Sequence, residues 1–67
     1  MVMGTLDQLR AKETAWKPKE LMALLSLSKS QMYRFIEEGQ LRAARFGTTL
    51  RIDPQDAVDW YLRNLTV

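Results

Sequence analysis

The stretch from Leu27 to Gly39, Leu-Ser-Lys-Ser-Gln-Met-Tyr-Arg-Phe-Ile-Glu-Glu-Gly, narrows the possible folds more than any other part of the chain. It spells a short helix with both ends marked. Ser28 is an N-cap, because its hydroxyl can accept a backbone N–H of the first turn that has no partner within the helix. Gln31, three residues on, can reach back to Ser28 and complete a capping box. Leu27 and Met32 can close over that cap as a hydrophobic staple. Gly39 supplies the left-handed residue that ends the helix. Met32, Phe35 and Ile36 share one side at helical spacing. Ser30, Arg34 and Glu37 fall opposite, with Gln31 and Tyr33 on the flanks. A helix this short does not stand alone in water. It must bury its apolar stripe on other elements, which turns a polar face outward as the candidate functional surface.

The other elements are few. Sixty-seven residues make one domain, and a domain of this size buries only about 60% of the surface its unfolded chain exposes. With neither cysteine nor histidine, it has no disulfide or thiolate metal site and lacks the usual catalytic base and nucleophile. No apolar run approaches the ~20 residues of a membrane span. Met1 to Leu9 has neither a basic start nor a long apolar block, so a signal peptide is not expected. Ten Lys and Arg against eight Asp and Glu give a net charge of +2. That balance permits nucleic-acid binding without demanding it. The distribution is more telling. Glu37, Glu38, Asp53, Asp56 and Asp59 sit at or near expected helix ends, whereas Arg42 to Arg51 contains three arginines and no acid. A local basic surface is expected there.

Residues 1–15 read as a tail, a short docked helix or a functional arm. Thr5 and Gln8 can form a capping box, but Leu6 and Leu9 are the only large apolar residues in its stripe. Trp16 is expected in the core. Pro18 suits the first position of a second helix, Glu20 its first turn, and Leu21, Leu24 and Leu25 its stripe. Ser26-Leu27 is then a tight connection, so two short helices meet as a helix-turn-helix unit. After Gly39 the period changes. Leu41–Phe46 and Leu50–Ile52 read as strands around a Gly47-Thr48-Thr49 turn. That turn pairs Phe46 with Leu50, Ala44 with Ile52 and Arg45 with Arg51, so two arginines project together. Asp53-Pro54 opens a last helix, with Asp56 in its first turn. Its stripe of Ala57, Val58, Trp60, Tyr61, Leu62 and Leu65 is wider than one small core contact requires.

Residues 15–62 resemble excisionase-type helix-turn-helix domains. The likeness lies in Trp16 through Gly39, in Gln40 through Gly47, in Leu50 through Asp56, and in Trp60. It implies a mostly α fold with a small β-hairpin, a winged helix-turn-helix over residues 16–67 related to the DNA-binding part of MerR-type regulators. It implies sequence-specific binding of double-stranded DNA, as a recombination directionality factor of a phage or mobile element or as a small transcriptional regulator. It implies a cytoplasmic, nucleoid-associated setting, with an integrase and further copies of the chain as candidate partners besides DNA. No enzymatic activity, cofactor, metal or small-molecule substrate is implied. One departure stands out: the family often carries basic residues after the wing glycine, and here Thr48 and Thr49 follow it.

On this reading Arg34 can make a bidentate contact to guanine or to a phosphate, and Gln31 can pair with adenine when its capping role allows. Ser28, Lys29 and Ser30, with a helix N-terminus behind them, suit phosphate. Tyr33 belongs either to the core edge or to a phosphate contact. Glu37 can accept from a cytosine amine or simply repel phosphate. Arg42, Arg45 and Arg51 suit phosphate or the minor groove, and Thr48 and Thr49 suit phosphate through hydroxyl and backbone N–H. Two rivals remain. Asp53, Asp56 and Asp59 have the look of a metal cluster, yet capping and the helix dipole explain them. A protein–protein adaptor would use the side formed by Trp60, Tyr61 and Leu62.

Overall fold

The computed structural model describes residues 4–66. The first part of the expected N-terminal segment, residues 1–3, lies outside them, as does residue 67. Among the described residues are four helices and one two-stranded antiparallel sheet: α1 (Thr5–Ala11), α2 (Pro18–Leu25), α3 (Lys29–Glu37), β1 (Ala44–Phe46), β2 (Thr49–Arg51) and α4 (Pro54–Arg63). None of the helices is long and apolar enough to cross a membrane.

The central framework starts from one pair of residues. Trp16 N–H donates to the Ile52 carbonyl at 2.7 Å, and Ile52 N–H donates to the Trp16 carbonyl at 2.8 Å. Two residues after each partner stands a proline, Pro18 and Pro54, and each begins a helix. Lys17, the residue before Pro18, is extended at φ −85°, ψ 144°, as the proline ring demands. α2 and α4 therefore leave the same bridge at the same offset. Asp53 caps α4 by accepting the Gln55 N–H at 2.9 Å. A lysine has no oxygen to offer a helix start, so at α2 only the other half of a cap forms: Glu20 accepts the Lys17 N–H at 2.9 Å. That hydrogen bond, and the Lys12 ammonium 3.1 Å away, hold the Glu20 carboxyl below the usual glutamate range. Lys12 also lies over the Trp16 ring, 4.9 Å from its centroid.

Each helix contributes a residue with no exposed surface or nearly none: Leu9, Leu21, Met32 and Trp60. Leu41 and Ile52 fill the space between them. Phe35 of α3 meets Trp60 edge to face, ring centroids 5.3 Å apart, a geometry that adds to simple burial. Neither the Trp16 nor the Trp60 indole N–H finds an acceptor among the described residues. Both rings therefore stabilise through packing.

The N-terminal segment is a docked helix over its described part, with α1 packed on α4. This uses some of the width of the α4 stripe. The expected Thr5/Gln8 capping box does not form. Thr5 is already the first helical residue, and the N-cap is Gly4, which has no side chain to accept a hydrogen bond.

The hairpin corrects the expected register. The pairs are Phe46 with Thr49, Arg45 with Leu50 and Ala44 with Arg51, around a two-residue turn, Gly47-Thr48. Gly47 has φ +65° and Thr48 is not in the left-handed region, the Gly-X pattern of a type II′ hairpin. Ile52 pairs with Trp16 and not with Ala44. Because opposite residues share a face, a slip of one residue exchanges the faces. Arg45 stands with buried Leu50 on one face, and Arg51 stands with Ala44, Phe46 and Thr49 on the other. The strands are also shorter than expected, since Leu41 is buried but precedes β1.

The α2–α3 connection holds a non-glycine residue in the left-handed region: Ser26, φ 56°, ψ 43°. The Ser26 and Leu27 N–H groups both donate to the Met22 carbonyl. Side chains at such angles are disfavoured by roughly 1–2 kcal/mol, and a glycine recovers part of that against its own chain entropy. Ser26→Gly is therefore expected to raise the unfolding free energy by on the order of 0.5–1 kcal/mol, read by urea denaturation. A loss of stability would show that the serine side chain itself holds the turn.

Candidate functional site

α3 is fixed by its own ends. Ser28 Oγ accepts the Gln31 N–H at 3.2 Å, and Gln31 Oε1 accepts the Ser28 N–H at 3.0 Å. At the other end Gly39, φ +77°, ends the helix. Gly39 N–H donates to Ile36 and Gln40 N–H to Phe35, the paired bonds of a Schellman motif. Arg63 of α4 donates to the Gln40 carbonyl beyond that end. Met32 is buried, and Phe35 and Ile36 pack against the core. With both termini and one face committed, the opposite face is presented in a fixed orientation.

Ser28, Lys29, Ser30, Gln31 and Arg34 are all exposed there. Ser30 and Arg34 have no side-chain hydrogen bond or ion pair among the described residues. Gln31 is divided in its role: its carbonyl oxygen serves the cap, while its amide N–H₂ has no partner among the described residues. Tyr33 is half-buried and packs against the core edge. The Lys29 ammonium lies 6.0 Å from its ring centroid. Together with Lys19 and Met22 of α2, these two residues line a groove of about 290 Å³. Lys19 is an addition to the site that the sequence reading missed. It lies in the first turn of α2, beside Pro18, and only the packing of α2 on α3 brings it to Lys29.

The arginines after α3 do not form one row. Arg42 and Arg51 line a surface cleft of about 470 Å³ that also takes in Asp53 and Asp56. Arg51 is half-buried and donates to the carbonyl of Leu50 at 2.7 Å. Arg45 is exposed on the other face of the hairpin. The acid-free run in the sequence is therefore met in space by the acids at the start of α4. What remains exposed at the hairpin tip is Thr48, Thr49 and Phe46. The shorter turn pairs Phe46 with Thr49 and not with Leu50, and its ring is exposed.

Of the alternative Trp60–Tyr61–Leu62 surface, Trp60 is buried, Tyr61 is half-buried and only Leu62 is well exposed, at 42%. Asp53 and Asp59 are each engaged by Gln55, through its backbone N–H and its side-chain amide respectively. Comparison of the chain with family models, with curated proteins and with solved structures gives no match.

Proposed function

We propose that this chain is a winged helix-turn-helix domain that binds double-stranded DNA in a sequence-specific way, with α3 in the major groove and the β1–β2 hairpin as the wing. The observation that carries the reading is the outer face of α3. A helix locked by a capping box at one end and a Schellman motif at the other turns Lys29, Ser30, Gln31 and Arg34 to solvent. The fold uses only the Gln31 carbonyl oxygen, in the cap, and the remaining donors suit a duplex: Arg34 can fork onto guanine, the Gln31 amide can donate to a base edge, and Lys29 and Ser30 near the helix N-terminus suit phosphate. Lys19 extends the phosphate-binding side. Thr48 and Thr49 meet the backbone through hydroxyls, where the resembled family often uses charge.

The expected projection of Arg45 and Arg51 together does not form, since the hairpin register puts them on opposite faces, so the reading rests on α3 and no longer on a shared cationic edge. Arg45 remains a phosphate candidate. Arg42 and Arg51 are weaker ones, because Asp53 and Asp56 offset their charge. Within DNA binding, the resemblance favours a recombination directionality factor acting with an integrase, over a small transcriptional regulator. In neither role is the chain an enzyme. The adaptor reading loses ground because Trp60 belongs to the core.

Two outcomes test this in fluorescence anisotropy with the DNA flanking the chain's own gene. Arg34→Ala is expected to cost on the order of 1–3 kcal/mol of specific binding while leaving random-sequence binding much less affected. Equal losses on both DNAs would show that Arg34 only neutralises charge. The log–log dependence of affinity on salt is expected to have a slope of roughly −3 to −6, from a few phosphate contacts per chain. A titration flat in salt would contradict the electrostatic part.

A further inference from the structure

Phe46 is 66% exposed, more than Leu62 or Leu65, the other exposed large apolar side chains among the described residues. It is the last residue of β1, directly before the two-residue turn. Its cross-strand partner is Thr49, and the next pair on the same face is Ala44 with Arg51. No ring–ring or cation–ring contact engages it among the described residues. Most of its apolar surface is left to solvent.

The surroundings of the ring suggest what covers it. A protein-docking hot spot sits within a larger apolar patch. Phe46 instead shares its face with Thr49 and, diagonally, Arg51, beside the Gly47-Thr48 turn, at the narrow end of a ribbon whose segment Leu41–Ile52 contains no acid. A single apolar ring ringed by donors suits a partner with anions outside and flat apolar faces within. A stacked duplex has that layout. Apolar side chains of this kind enter the minor groove and part a base step.

We infer that Phe46 is a wedge. Its ring enters the base stack from the minor groove, while Thr48, Thr49 and the turn N–H groups hold the flanking backbone, and the duplex kinks at that step. The inference rests on the DNA-binding reading above and adds the group that deforms the DNA. It also predicts a preference for an easily unstacked pyrimidine–purine step under the hairpin.

The test uses a duplex of about 30 base pairs selected on the wild-type chain from a random-sequence pool and labelled with a donor and an acceptor at its ends. Saturating wild-type protein is expected to raise energy transfer, reporting a bend. Phe46→Ala is expected to lose most of that rise and to weaken binding by about ten- to a hundredfold, while keeping the wild-type melting temperature because the ring is exposed. Phe46→Leu, which keeps an apolar wedge, is expected to retain most of the bend. If Phe46→Ala also bends it fully, or if the wild type binds without bending it, the wedge is refuted and DNA binding stands. If selection enriches no duplex, both readings fall together.

Discussion

Two backbone hydrogen bonds, between Trp16 and Ile52, govern how this small molecule is assembled. A ribbon of two three-residue strands is marginal by itself. Here its base is tied to the chain entering α2, and the Trp16 indole is buried beside Leu21, Met32 and Ile52 in the core. The prolines two residues beyond each partner then start α2 and α4 from that point. Without cysteine to staple it, the chain relies on this junction and on the Phe35–Trp60 contact to hold its short helices together. The hairpin is thereby held at its base and free at its tip.

The helix limits around that junction were legible because they are written in local chemistry. Pro18, the Ser28/Gln31 pair, Gly39 and Asp53-Pro54 each mark an end through a backbone group that the helix itself cannot satisfy. The structure places all of them as the spacing suggested. α1 was not legible in the same way. Gly4 offers no cap and Leu6 and Leu9 make a thin stripe, so α1 as a packed element owes its place to the exposed side of α4. The Leu6 and Leu9 stripe and the unusual width of the α4 stripe were the hints of it.

The hairpin register was lost for a different reason. Gly47-Thr48-Thr49 can be read as a three-residue or a two-residue turn, and strand propensity does not separate them. Two signals favoured the shorter one: a glycine at the first central position of a two-residue turn, and the need of Ile52 to pair elsewhere. The consequence reaches the site. Moving the register by one residue puts Arg45 and Arg51 on opposite faces and Phe46 on the face of Arg51 and Thr49. The candidate surface that results is a polar helix face with a hydroxyl-bearing, aromatic-tipped hairpin, where a row of arginines had been expected. Lys19, beside Lys29 and Tyr33, joins it through tertiary packing alone.

In the binding mode we propose, the outer face of α3 and the hairpin tip meet a DNA duplex. Backbone amide NMR of the chain titrated with a short duplex at low salt tests it most directly, because every element reports at once. The claim predicts the largest shift changes at Lys29 to Arg34 and at Gly47 to Thr49, with α1 and the Leu62–Leu65 end of α4 nearly unmoved. Changes centred on α1 and α4, or no changes at all, would contradict it.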